Sequence, residues 1–281
     1  MTGPLHTPER RQRKLPSPAT PGRSVPGRQR AAALCLAAVL LAGPALAYVL
    51  PQGAIMRRMV AARDDVGLVT LRVEGTLTLT GDAQRAAAPA LGLATDRPEG
   101  QAEATLSVKV PGRCRLEATG PAGGAGVSAV SNGGRRRTAG VDLPALSRGL
   151  AQVCALLGQR SGSDQEGRAV LESHLRAQGV EPRFTSLARI GGRVAYVLGA
   201  RGEGAAQLWV YKDSFQPARM RWKEKDGTQW DVWLLDYASP ATGESFPRLV
   251  EVYQNGQRQV RFNALRGDTR ARLDDALFAV Q

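Results

Sequence analysis

The chain has 281 residues, 43% of them hydrophobic, which gives enough length and apolar content to bury a sizeable core and excludes a disordered polyelectrolyte. A formal net charge of +13 raises the question of a polyanion partner. However, Arg10, Arg11, Arg13, Lys14, Arg23, Arg28 and Arg30 stand against the single Glu9 in the leading residues. The remaining charge is almost all arginine, as a compositional bias would produce, so no nucleic-acid partner is expected.

Residues 1–30, rich in Pro, Arg and Ser, read as a disordered or mis-started leader. The apolar run AAALCLAAVLLAGPALA over residues 31–47 has the layout of a secretory signal peptide, with cleavage after Ala47 leaving Tyr48 first. A start near Val25 would give a signal of ordinary length. The rival reading is an uncleaved N-terminal anchor over Ala31 to Leu50. Either way, residues 48–281 are expected outside the cytoplasm as a single domain. Cys35 does not look like a lipidation cysteine, because bulky Leu34 precedes it and the apolar run continues. The other two cysteines, Cys114 and Cys154, could form a disulfide in an oxidising compartment; two buried thiols are the alternative.

The periodicity predicts a short amphipathic helix over 51–64, with Ile55, Met59 and Ala62 on one face. From Leu68 to Thr80, Val69, Leu71, Val73, Leu77 and Leu79 alternate with polar residues, as in a long half-buried strand. Residues 81–100 read as an Ala- and Pro-rich loop. From Thr105 to Thr119 the apolar parity of Leu106, Val108, Val110, Cys114, Leu116 and Ala118 survives Pro111-Gly112. That predicts a hairpin pairing Val110 with Cys114 and Val108 with Leu116, with Arg113 and Arg115 on the other face. A short strand at Val127 to Val130 ends in the turn Asn132-Gly133-Gly134. Leu143 to Gly158 is an amphipathic helix with Cys154 on its apolar face, and a second helix begins at the capping box Ser163/Glu166 and stops at Gly179. Phe184 to Leu265 reads as an antiparallel meander with turns at Gln216-Pro217, Asp226-Gly227 and Asn255-Gly256. The expected fold is mainly β (α+β). It is a strongly curved antiparallel sheet of about nine to eleven strands, with two or three helices on the concave face.

Catalytic signals are sparse. His6 lies in the leader and His174 on a charged helix face, so no histidine pair can hold a metal or serve a triad. No nucleophile elbow or nucleotide-binding loop occurs, and GPAGGAG reads as a hairpin loop. The pairs Asp64-Asp65 and Asp274-Asp275 sit at element ends, where capping accounts for them. Trp222 and Trp230 share parity with apolar neighbours and are expected to face the interior, as core or as a cavity lining. RMRWKEK could be an aromatic and basic nucleic-acid surface, but export makes that reading unattractive.

Three stretches resemble one family. VKVPGRCRLEATGP followed by VSNGGRR is similar to the hairpin-and-turn signature of the periplasmic outer-membrane lipoprotein carriers, the LolA-like proteins. VRFNALRGDTRARLDDALFAV is similar to that family's last strand and terminal segment, and WVYKDSFQPARMRW to the central hairpin of lipoprotein-sorting relatives. The resemblance spans roughly Tyr48 to Gln281. It implies a half-barrel whose helical lid closes over an apolar cavity for lipoprotein acyl chains. Leu143 to Gly158 and Ser163 to Gly179 would be the lid helices. The chain departs from the carriers at Val110, where they have an arginine that ties the lid closed, and at Cys114 and Leu116, where they have aromatic residues.

The reading is therefore an exported, non-enzymatic, cofactor-free and monomeric binder of lipid or lipoprotein acyl chains, residing in the periplasm. The expected cavity lining is Val73, Leu77, Val108, Leu116, Trp222 and Trp230, with Leu146, Leu150 and Leu157 from the lid. The alternative is an envelope interaction or sensing module, anchored in the inner membrane and facing the periplasm, with envelope membrane proteins as partners.

Overall fold

The computed structural model describes residues 49–121 and 123–280. The leader, the signal or anchor segment, His6 and Cys35 lie outside them. The described chain is α+β. Helix α1 (Gln52–Asp65) leads into strand β1 (Thr70–Thr80), helix α2 (Gly81–Leu91), and strands β2 (Glu99–Lys109), β3 (Arg113–Thr119), β4 (Val127–Asn132) and β5 (Arg135–Ala139). Helices α3 (Pro144–Leu157) and α4 (Asp164–Ala177) follow. The second half is a run of strands: β6 (Thr185–Ile190), β7 (Arg193–Leu198), β8 (Gln207–Tyr211), β9 (Pro217–Lys223), β10 (Gln229–Leu235), β11 (Leu249–Gln254) and β12 (Gln257–Asp268). A short 3-10 turn, Asp275–Phe278, comes last.

All twelve strands form one antiparallel sheet in the order β5-β4-β3-β2-β1-β12-β11-β10-β9-β8-β7-β6. Every neighbour is also a sequence neighbour except at β1 and β12, where the two halves meet. β5 and β6 are the two edges and do not pair with each other, so the sheet is open. The described residues hold twelve strands where nine to eleven were expected, and four helices where two or three were.

The alternation sorts the two faces. Leu71, Val73, Leu77 and Leu79 of β1 are buried beside Leu106, Val108, Cys114 and Leu116 of the next hairpin. Phe262, Val252, Val232, Met220 and Val210 continue that apolar face through the other half. The opposite face carries polar ladders. Arg219 pairs with Asp231 and its guanidinium lies between Trp209 and Trp233. Arg221 donates to Ala205 and Gly202 carbonyls and to Gln207. The arginines of RMRWKEK are thus engaged within the fold.

Two expectations are corrected. The β2–β3 hairpin closes on Lys109 opposite Arg113, pairing Val108 with Cys114 and Leu106 with Leu116. The loop keeps its predicted length, but each residue meets a partner two positions away from the predicted one. A shift of two leaves every side chain on its face, which is why alternation alone could not fix it. Residues 81–91 are helix rather than loop: Ala83, Ala87 and Leu91 recur at helical spacing and are buried against the sheet. Alanine is the strongest helix former, and Pro89 sits close enough to the C-terminus for the helix to end at left-handed Gly92.

Gly120 and Gly124 pass directly against the end of α2. A Cβ on Gly120 would collide with the Leu91 carbonyl, so only glycine fits there. The Ser163 hydroxyl accepts from the Glu166 amide at 3.3 Å and caps α4, while the Glu166 carboxylate accepts from the Gly162 amide at 3.0 Å. At the C-terminus, Asp274 caps the 3-10 turn by accepting from the Ala276 amide at 2.9 Å. Asp275 reaches Lys109 and Arg113, each at 2.6 Å. Phe278 is fully buried on the outer face, and its carbonyl accepts from Asn132.

Gly120→Ala should lower stability by about 2–4 kcal/mol, because backbone must move. Gly53→Ala, in α1 with nothing nearer than 3.8 Å to the new methyl, should raise it by about 0.5–1 kcal/mol. Urea unfolding of both variants checks the pair; equal stabilities would refute the close approach.

Candidate functional site

Helix α3 covers the middle of the apolar face. Its Leu146, Leu150 and Val153 sit over Leu77 and Leu106 of β1 and β2, Leu116 of β3, and Val250, Val252, Val260 and Phe262 of β11 and β12. Phe246, from the β10–β11 connection, completes the lining. Gly149 brings the helix close: a Cβ there would stand 2.5 Å from Val252 Cγ2. The space left is an almost wholly apolar void of about 30 Å³.

Both ends of α3 are fastened. Toward the C-terminus, Cys154 is joined to Cys114 of β3 by a disulfide spanning 5.8 Å between Cα atoms. Beside it the Gly112 amide donates to the Gly158 carbonyl at 2.6 Å. Val110, in that same hairpin loop, donates its amide to the Val69 carbonyl at 2.9 Å.

In the N-terminal half, Arg148 makes a two-pronged bond to Glu224, Nε to Oε1 at 2.8 Å and Nη2 to Oε2 at 2.9 Å. Its guanidinium also lies 5.0 Å above the Trp230 ring, which stacks on Trp222 at 6.4 Å. Bidentate geometry and an aromatic floor make this a strong charge pair. The Arg148 bond holds the Glu224 carboxyl below the usual carboxylate range, and the same bond raises Arg148.

A second, polar cavity of about 220 Å³ lies on the other flank of α3. Arg136, Arg148, Gln152, His174, Trp222 and Glu224 are on its wall. His174 Nε2 and Gln152 Oε1 are 2.9 Å apart, and burial pushes the imidazole below its ordinary value. Among the described residues no group of three or more His, Cys, Asp or Glu is arranged to hold a metal. No helix among them is long and apolar enough to cross a membrane.

The structure brings together four of the residues chosen from sequence, Leu77, Leu116, Leu146 and Leu150, around one void. Val73 is buried on the same face, paired with Leu106. Val108 packs at Gly158, beside the disulfide. Trp222 and Trp230 face inward, but under Arg148, with Trp222 on the polar cavity. Leu157 lies apart, in a pocket with Met59, Phe215 and Tyr237. The reading from sequence missed Phe262, Val250, Val252 and Val260, which the alternation of β11 and β12 could have given, and Phe246, which lies in a connection without period. It also missed the pair Arg148–Glu224, since nothing local links residues so far apart.

Among solved structures, the chain is similar to a LolA superfamily protein from Nitrosomonas europaea, with 14% identity, 79% of this chain and 96% of that one covered, and a TM-score of 0.46. It is similar to an outer membrane lipoprotein-sorting protein domain from Vibrio parahaemolyticus, with 11% identity, 79% and 95% covered, and a TM-score of 0.38. A chain of the MucA/MucB complex from Pseudomonas aeruginosa matches at 16% identity, with 82% and 61% covered and a TM-score of 0.26. The first two carry the names of the family that the sequence motifs resemble. No family model and no curated protein matches the chain.

Two outcomes follow from the fastened helix. Replacing Cys114 and Cys154 by serine, which opens a loop with a sequence separation of 40, should cost about 4 kcal/mol in urea unfolding. Because the folded Glu224 carboxyl is lowered, its contribution is present above the unfolded value, about 4.3, and is lost as pH falls through the folded value. Glu224→Gln should therefore flatten the acid limb of the stability–pH curve relative to the parent chain. Superimposable limbs would show that the pair contributes nothing there.

Proposed function

We propose that this chain is an exported, non-enzymatic carrier that holds the acyl chains of a lipid or lipoprotein between α3 and the sheet, as a single half-barrel domain in the periplasm. The observation that carries the proposal is a helix fastened at both ends over the middle of a broad, continuous apolar face. Acyl chains offer no groups for directional recognition, so a site for them needs apolar area and the freedom to open. Leu77, Leu116, Leu146 and Leu150 supply the first binding surface in this reading, with Val73, Val108, Trp222, Trp230 and Leu157 reached as the helix lifts.

Strong curvature of the sheet is part of the proposal, and the reach of α3 supports it. The helix touches β3, β4 and β5 on one side and β11 and β12 on the other, and Arg148 bonds Glu224 just past β9. β5 and β9 are eight positions apart in the sheet order, about 38 Å if flat. A helix of 14 residues is only about 21 Å long. A sheet wrapped around α3 reconciles the two lengths.

A void of about 30 Å³ is far below the several hundred Å³ of a filled ligand site, so the described state is the closed one in this reading. Opening parts Arg148 from Glu224 while the disulfide keeps the other end of α3 at the sheet, and the helix swings about Cys154. The Arg148–Glu224 pair thus does the work for which the carriers use the arginine that Val110 replaces. A second reading, a module that docks an envelope protein, draws support from the open sheet edge at β5.

The carrier reading is tested by lipid extraction and mass spectrometry of natively purified protein, together with Trp emission on adding a long-chain fatty-acid probe. Co-purified lipid or a saturable change in emission is expected, with faster uptake in Glu224→Gln. A lipid-free protein that leaves the probe untouched, in both parent and variant, would sink the proposal.

A further inference from the structure

The edge strand β5 carries the longest run of arginines among the described residues. Arg135, Arg136 and Arg137 are consecutive and all exposed. No carboxylate among the described residues pairs with any of them, whereas Arg113, Arg115, Arg148, Arg193, Arg219, Arg248, Arg258, Arg261 and Arg266 all have partners. Among the described residues β5 pairs only with β4, so its other side presents backbone donors and acceptors with nothing bonded to them. Register against Asn132, Ser131 and Val130 puts Arg135 and Arg137 on the outer face and Arg136 on the helix-covered face, where it borders the polar cavity.

We infer that β5 is a docking edge for an extended acidic segment of a protein partner, which adds to the sheet as a thirteenth strand. An added strand meets successive edge residues in turn, so consecutive carboxylates would face consecutive guanidiniums on alternating sides while the backbone ladder continues. A bilayer surface fits less well. Arginines near anionic lipid act as separate point attractions, and stable binding needs an apolar anchor as well. The large exposed apolar side chains among the described residues, Val69, Val170, Phe184 and Leu265, all lie outside β5. The inference rests on the docking-module reading and does not depend on acyl-chain binding.

The test uses the full chain and short strand-forming peptides followed by fluorescence anisotropy at low ionic strength. A peptide with three consecutive glutamates should bind, and the same peptide with lysines in their place should not. Methylating alternate backbone nitrogens of the glutamate peptide should abolish binding in one of the two phases, the one whose amides face β5. The triple variant R135Q/R136Q/R137Q should bind about tenfold more weakly or worse, and Arg135→Gln alone a few-fold more weakly, which keeps the series readable if the triple variant folds poorly. Equal binding by parent and variants, or by the methylated peptides of both phases, would overturn the docking edge. So would a parent chain that ignores the peptide while the triple variant self-associates in size-exclusion chromatography, since the arginines would then only guard the edge. Arginine-dependent binding to phosphatidylglycerol vesicles without peptide binding would overturn it in favour of a bilayer.

Discussion

Everything on the apolar side of the sheet depends on α3 staying in contact with it. A twelve-stranded sheet with one apolar face has to cover that face or expose it to water. The alternatives are closing into a barrel, pairing with another sheet, or accepting helices. Here the edges remain apart and helices take the role. α3 carries most of the burden because its leucines lie over the middle strands, and Gly149 lets its backbone approach Val252. A disulfide at one end and a charge pair at the other convert a packing preference into a fixed position. Those fastenings differ in kind: one is covalent and indifferent to pH, and the other is an exchangeable bond that a proton on Glu224 weakens.

What could be read from the sequence follows from whether a residue's environment is local. The strands β1, β2 and β3 show in the alternation of Leu71 through Ala118, because burial on one face imposes a period of two. The helices α3 and α4 show for the equivalent reason at a period near 3.6, with Ser163 and Glu166 marking a start. The hairpin register was off by two because parity is blind to even shifts. α2 was hidden by its composition: Ala83, Ala87 and Ala88 bury almost no side chain, so they give a weak apolar signal even though they sit in the core. β5 was hidden for the opposite reason. Arg135, Arg136 and Arg137 lie at an edge with both faces wet, so no alternation is imposed at all. Four of the candidate cavity residues fall around one void, whereas Trp222, Trp230 and Leu157 do not, since inward parity says which face a side chain takes and not which neighbour it meets.

The arginine excess has a structural use that composition alone conceals. On the outer face, guanidiniums bridge carboxylates on neighbouring strands: Arg219 to Asp231, Arg261 to the nearly buried Glu251, and Arg266 to Glu74. Glu251 in turn accepts from the Tyr253 hydroxyl, and burial followed by that carboxylate pushes the phenol up to about 12. Part of the positive charge is therefore neutralised within the sheet. The field that remains comes from the arginines that pair with no carboxylate, and among these Arg135, Arg136 and Arg137 of β5 are the longest consecutive run in the described residues.

The meeting of β1 with β12 carries a consequence for assembly. Every other strand pair joins sequence neighbours, and those hairpins and short crossovers can form as soon as their residues are available. The β1–β12 ladder pairs Leu79 with Val260 and Arg72 with Asp268, a contact between residues near opposite ends of the domain. Closing so long a loop is entropically costly and slow. A chain delivered from its N-terminus would leave the β12-facing edge of β1 unpaired, with the apolar side chains Leu71, Val73, Leu77 and Leu79 beside it, until nearly the whole domain has followed. During that interval β1 has an unpaired edge bordering an apolar face, so the seam that unites the finished sheet is also the place where an unfinished one is most open to the wrong partner.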